Sequence, residues 1–218
     1  SPIPNPHIKK ILLNFNFACY NFHVNVYDFD KTIFYPDSLT QFTLYCIMKY
    51  PRLLVSYCPK TLLTAILFLF KKITVTQAVE QLSSFVREIP DIDKEIELFW
   101  NKNEHKIARW YLAQKKETDL IISAAPEFLL KPLTDRLGIK LIGSQIDKHT
   151  GKVSGRCCYG KEKVKYLVIS DYFPEQKIEE FYSDSLTDAP LASYAEKAFL
   201  VTKKGKKIQP WNPSQKSR

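Results

Sequence analysis

The 218 residues carry only five cysteines (Cys19, Cys46, Cys58, Cys157 and Cys158), an odd number with no Cys-x-x-Cys pair. That argues against a disulfide framework and a thiolate zinc site, and makes a reducing compartment, the cytoplasm, the expected setting. The histidines His7, His23, His105 and His149 show no ligand spacing. There is no helix-turn-helix or zinc-finger spacing and no basic run interleaved with aromatics, so nucleic acid is not an expected partner. The apolar run "TLLTAILFLF" has ten uncharged residues in succession, too few for the roughly 20 that cross a bilayer, and no internal repeat is present. Acidic residues are in the minority, 23 against 32 Lys and Arg, for a formal charge of +9. That balance favours anionic partners such as phosphates or anionic lipid surfaces.

With 45% hydrophobic residues, the chain can bury a substantial core. Short apolar or β-branched runs, "VNVYDFD" (24–30), "DLIISAAP" (119–126), "IKLIGSQI" (139–146), "IEEFYSDS" (178–185) and "KAFLVT" (197–202), are separated by helical patterns. This spacing predicts βαβ units: a doubly wound α/β core on a largely parallel sheet. In "PEFLLKPLTDRLG", Pro126 suits a first helical turn, Leu129, Leu133 and Leu137 share a face, and Gly138 is a stop signal.

Residues 38 to about 104 read instead as helix after helix. Ser38 with Gln41 resembles a capping box opening "LTQFTLYCIMKY". "TLLTAILFLFKK" (61–72), "TQAVEQLSSFVREI" (76–89) and "IDKEIELFWNKNE" (92–104) follow, with Val79, Leu82, Phe85 and Val86 at helical spacing. The organisation expected is a core of residues 22–33 plus 105–218, with an inserted helical cap over 34–104. Residues 1–21, including "KKILLNFNFACYN", read as a leader or an extra packing segment.

Reactive residues fall at the ends of several predicted strands: Asp28 and Asp30, Ser123, then Asp184 and Asp188, with Lys163 opening the helix "KEKVKYLVIS". Parallel sheets place ligands at these carboxyl ends. Two unit charges about 4 Å apart repel by about 4 kcal/mol at an effective dielectric near 20, so clustered aspartates need compensation. A hard divalent cation, Mg²⁺, supplies it and can also hold a substrate phosphate. Lys163 would offset further charge.

"DFDKT" (28–32), "IIS" (121–123), "KEK" (161–163) and "SDSLTD" (183–188), in that order, resemble the four motifs of the haloacid dehalogenase superfamily. The phosphoserine-phosphatase-like branch is the nearest match, because a helical insertion follows the first motif and "TGKVSG" precedes "CYGKEKVKYL". The resemblance implies Asp28 as nucleophile forming an aspartyl-phosphate, and Asp30 as general acid and base. It implies Thr32, Ser123 and Lys163 as phosphate-binding groups. Mg²⁺ would be held by Asp28, the Asp30 backbone carbonyl and Asp184, with Asp188 as ligand or just behind. Lys163 is preferred over Lys161 because the branch's Cys-x-Gly-x-x-Lys pattern matches Cys158, Gly160 and Lys163. Thr187 stands where an asparagine commonly precedes the last aspartate. Asp37, nine residues after the nucleophile, is a candidate for substrate contact or for capping the first inserted helix.

An acid/base aspartate at position 30 is similar to that of phosphatases and phosphomutases in the superfamily. The expected function is Mg²⁺-dependent hydrolysis of a phosphomonoester, the substrate a phosphorylated small molecule. Alternatives are a lipid or isoprenoid phosphate taken at a membrane surface, a phosphotransferase or mutase, and a non-catalytic phosphate-binding module. "TLLTAILFLF" is read first as a buried cap helix; the alternative is an apolar surface meeting lipid, with Lys71, Lys72 and Lys203 to Lys207 on head groups. Cys157 and Cys158 are expected in a strand.

Overall fold

The computed structural model describes residues 24–160, 162–168, 178–202 and 206–212. The predicted leader, Lys161 and Lys203 to Gly205 lie outside the described residues. The elements run β1 (Val24–Tyr27), α1 (Ser38–Lys49), α2 (Leu53–Ser56), α3 (Cys58–Leu69), α4 (Val75–Ser83), α5 (Ile92–Asn103) and α6 (Arg109–Gln114). Then come β2 (Leu120–Pro126), α7 (Glu127–Leu137), β3 (Lys140–Ser144), α8 (Glu162–Val168), β4 (Ile178–Ser183), α9 (Ala189–Ala192), β5 (Ala195–Thr202) and β6 (Lys207–Pro210).

One six-stranded sheet has the order β3-β2-β1-β4-β5-β6. The first five strands are parallel and β6 is antiparallel to β5. The chain winds outward from β1 through β2 to β3, then resumes on the other side with β4. The order therefore reverses between β1 and β4, which opens a crevice at their carboxyl ends.

Alternation along the strands sends apolar side chains to both faces, as a sheet covered on both sides requires. Val24, Val26, Leu120 and Ile122 meet Leu167, Phe181 and Leu191 on one face. On the other, Tyr27 and Ile121 join Phe42, Phe85, Phe99 and Trp100 from the inserted helices. Tyr27 stacks on Tyr182 at 4.9 Å, and Tyr182 on Phe199 at 4.8 Å, which ties β1, β4 and β5 together. Trp100 is fully buried, and its Nε1 donates to the Leu129 carbonyl at 2.7 Å, fastening α5 to α7. Phe34 and Ile107 form an antiparallel bridge, so the two ends of the insertion lie side by side.

Helix ends follow local chemistry. Gly138, at φ 66°, stops α7 in the left-handed region open to glycine, and Pro132 is accommodated inside that helix. Thr74 and Gln77 form a full capping box on α4, whereas the box expected at Ser38 does not form. Asp37 is the cap of α1, its Oδ1 accepting from Thr40 N at 2.8 Å. Ser38 lies one residue inside, its amide drawn instead to Asp30. The helix expected over 76–89 ends at Ser83 and continues as a 3-10 turn over Ser84–Glu88. Leu82 of the predicted apolar stripe is exposed and lines a cavity.

Three further expectations are corrected. Cys157 and Cys158 lie in a loop, Cys158 buried with its amide on Ser144 Oγ. β6 extends the sheet beyond the expected strands. And "TLLTAILFLF" is not a buried helix: none of the twelve residues of α3 is buried.

Candidate active site

The turn after β1 builds the floor of the crevice. The Phe29 carbonyl accepts from the amides of Thr32, Ile33 and Phe34, and Asp28 N donates to the Tyr182 carbonyl at 2.8 Å. Lys31 takes up the reversal at φ 59°, the left-handed region that costs a side-chain-bearing residue energy. This turn holds Asp28 and Asp30 at the switch point instead of letting them separate into solvent.

Lys163, in the first turn of α8, is 4% exposed, and its Nζ donates to Asp28 Oδ1 at 2.7 Å and Asp188 Oδ2 at 2.8 Å. Burial alone would depress the lysine, but the two carboxylates outweigh it and hold the ammonium well above its ordinary range. Gly160, at φ 55°, makes the bend before α8, and its carbonyl accepts from Lys163 N at 3.1 Å. Asp28 is pushed above the usual carboxylate range by burial, opposed by Lys163 and reinforced by Asp188. Asp184 is raised to about 6 by burial and then by Asp28.

Asp30 accepts the Ser38 amide at 2.7 Å through Oδ1. Burial, with Asp37 adding repulsion and Ser38 opposing, raises it to about 8, so it keeps a proton at neutral pH. Ser123 is buried in the middle of β2, which runs on to Pro126, and its Oγ accepts from Ala125 N at 3.1 Å, which leaves its O–H available to donate.

Asp28, Asp30, Asp37, Ser123, Lys163, Asp184 and Asp188 line one small cleft of about 240 Å³. Thr32 sits behind it. Its hydroxyl accepts from Asp184 N at 2.9 Å and lies 3.4 Å from Asp28 Oδ2, linking the first motif to the fourth. Asp37 both caps α1 and lines the cleft. Ser183 was not singled out from the sequence, yet its Oγ donates to Asp188 Oδ2 at 2.8 Å and accepts from Ser185 N. The signal was present in "SDS", where a small hydroxyl at a strand end can orient a neighbouring carboxylate.

Among the described residues, no three Asp, Glu, His or Cys side chains draw close enough to enclose a metal ion. Lys163 stands between Asp28 and Asp188. The donor chemistry nevertheless fits a hard divalent cation: the buried carboxylates of Asp28 and Asp188 and the half-buried one of Asp184 line the cleft with only Lys163 and Lys31 as cations, which leaves excess negative charge carried on oxygen donors.

A second, larger cavity of about 510 Å³ opens beside the cleft and shares Asp30, Asp37 and Tyr159 with it. Its walls come from the inserted helices, mainly Leu39, Leu44, Ile47, Tyr57 and Leu82.

The haloacid dehalogenase-like hydrolase family model matches residues 26–193. No curated protein matches the sequence significantly. Among solved structures, a protein with unknown function from Bordetella pertussis Tohama I superposes with a TM-score of 0.67 at 17% identity, covering 81% of this chain and 88% of that one. A HAD family hydrolase from Salmonella enterica subsp. enterica serovar Typhi gives 0.59 at 11%, covering 79% and 60%. A phosphoserine phosphatase in a phospho-aspartyl intermediate analogue state gives 0.53 at 12%, covering 81% and 84%. At such identities the likeness is one of fold. With the family match spanning the sheet from β1 to α9, the chain belongs to the haloacid dehalogenase-like hydrolases.

Proposed function

We propose that the protein is a phosphomonoester phosphatase that works through an aspartyl-phosphate on Asp28. The observation that carries this reading is the pairing of two unlike carboxyls on one turn. Asp28 is bonded directly to the buried Lys163 ammonium, which offsets its burial, while Asp30, two residues on and without such a partner, is raised to about 8 and retains its proton.

In the first step an Asp28 carboxylate oxygen attacks phosphorus, the bond from phosphorus to the leaving oxygen breaks, and that oxygen takes the Asp30 proton. In the second, the Asp30 carboxylate removes a proton from water as the water oxygen attacks phosphorus. The Asp28–phosphorus bond then breaks, releasing inorganic phosphate. The Ser123 hydroxyl and Lys163 ammonium stabilise the phosphoryl oxygens, whose charge grows in the transition state. Ser183 and Thr32 keep Asp188, Asp184 and Asp28 in register. Mg²⁺, held by Asp28, the Asp30 carbonyl and Asp184 with Asp188 behind, would neutralise the carboxylates and the phosphoryl charge.

The inserted helices act as the cap over this cleft, excluding water and choosing the leaving group. The apolar cavity continuing from Asp30 supports a leaving group with an apolar part, which favours an amphiphilic phosphate over a small polar one. A panel of phosphoserine, sugar phosphates, nucleotides and lipid phosphates, with and without detergent, tests this. Preference for chain-bearing phosphates is expected. Exclusive turnover of phosphoserine would overturn the apolar assignment, and no turnover of any phosphomonoester with Mg²⁺ would overturn the phosphatase reading.

A further inference from the structure

Helix α3 presents its faces in the reverse of the usual order. Its half-buried edge is Cys58, Thr61, Thr64 and Leu67, at three-residue spacing, so two threonines face the protein. Leu62, Leu63, Ile66, Phe68 and Leu69 point outward, Leu69 at 79% exposure. The apolar surface continues into Leu54 and Val55 of α2, the latter 82% exposed, and into Phe70. Isolated exposed leucines are ordinary, but a contiguous ridge of this kind marks an interaction surface.

Charge identifies what covers it. From Ser38 to Val79 the sequence has no Asp or Glu, but it has Lys49, Arg52, Lys60, Lys71 and Lys72. Lys49 and Arg52 pair with Glu95 and Glu88 on the protein side. Lys60, Lys71 and Lys72 are exposed around the ridge. A second copy would set these cations against their own kind. The chain's first 23 residues also contain lysine and no acid, so they do not complement the ridge either. An anionic lipid surface does, because it offers an apolar interior beneath a negative boundary.

We propose that the α2–α3 ridge seats this protein on an anionic bilayer, its apolar side chains entering the head-group boundary and Lys60, Lys71 and Lys72 meeting acidic head groups. At 12 residues, α3 is about 18 Å long, short of the roughly 30 Å hydrocarbon core. No described helix is long and apolar enough to cross a membrane, so α3 lies along the surface. Tyr57, Cys58 and Thr61, at the start and inner edge of this helix, line the cavity that leads to Asp30. Docking therefore places the cavity beside the lipid. Delivery of an amphiphilic phosphate from the bilayer follows if the phosphatase reading holds, whereas the docking itself does not depend on it.

The test is co-sedimentation of the full chain with vesicles of phosphatidylcholine alone, or of equal parts phosphatidylcholine and phosphatidylglycerol. Binding to the anionic vesicles, weakened about tenfold or more in Leu62→Ser/Leu69→Ser and in Lys71→Glu/Lys72→Glu, is expected. Both variants should keep the parental melting temperature and the parental rate on a soluble aryl phosphate. Failure of the parent to sediment with anionic vesicles overturns the proposal. So does equal sedimentation by the serine variant, or a dimer that the serine variant dissolves. An inactive parent that still binds vesicles contradicts the phosphatase reading and leaves the docking standing.

Discussion

Replacing Lys163 with Met keeps an unbranched side chain of similar reach and removes the charge shared by Asp28 and Asp188, at 2.7 and 2.8 Å. All three groups are less than 10% exposed, so solvent compensates little. Breaking a buried pair of this kind costs about 3–5 kcal/mol, because a charge is left without its partner. For a chain of this size each kcal/mol moves the melting temperature by about 2–4 °C, which places the expected drop at about 6–20 °C at pH 8. The pH dependence has a definite sign. In the parent, the raised lysine pKa supplies stability that is fully present below the ordinary lysine value and is lost only as pH rises through the folded one. In the variant, Asp28 loses the ammonium that opposes the upward push of burial on its carboxyl, so lowering the pH protonates and relieves it. The gap between parent and variant should narrow from pH 8 to pH 5. Thermal melts across that range, read by circular dichroism, check it. An unchanged melting temperature at pH 8, or a gap that widens in acid, would refute the reasoning.

Other outcomes follow from the same contacts. Asp30→Asn should slow hydrolysis of alkyl phosphates by about 10²–10⁴-fold yet barely affect aryl phosphates in the first step, because a good leaving oxygen needs no proton; equal losses on both would remove the acid role. Glu95 accepts from Lys49, Tyr45 and Tyr50. Burial would raise its carboxyl, but those bonds hold it below the ordinary range. Glu95→Gln should therefore cost about 1–3 kcal/mol at neutral pH, with the deficit vanishing as pH falls below the ordinary glutamate range; urea titrations at pH 7 and pH 3 read this. Trp100→Phe removes the buried bond from Nε1 to the Leu129 carbonyl and should cost about 1–3 kcal/mol without changing KM.

Much of the fold was legible because its signals are local. Each parallel strand is a short apolar run ending in a turn, and Gly138 marks the end of α7. The four motifs meet because each lies at a strand end or a helix start on the switch-point side of the sheet. What escaped depends on contacts between distant segments. Asp37 and Ser38 are both good cap residues, and only the pull of Asp30 on the Ser38 amide decides which one caps. β6, "KIQP", has too little alternation to declare itself and exists because β5 offers an edge. The apolar run of α3 fits a buried helix as well as an exposed one, since composition does not say which face meets the protein. Thr32 and Ser183 are legible as hydroxyls beside aspartates, but which distant amide or carboxylate each one meets is set by the fold.

The central claim is that the Asp28 carboxylate attacks phosphorus. Acid quench of the protein turning over an aryl phosphate in Mg²⁺, followed by peptide mass spectrometry, tests it most directly. A hydroxylamine-labile phosphoryl group on Asp28, missing along with turnover in Asp28→Asn, is the predicted result. Parental turnover by Asp28→Asn, or a phosphoryl group carried on another residue, would contradict it.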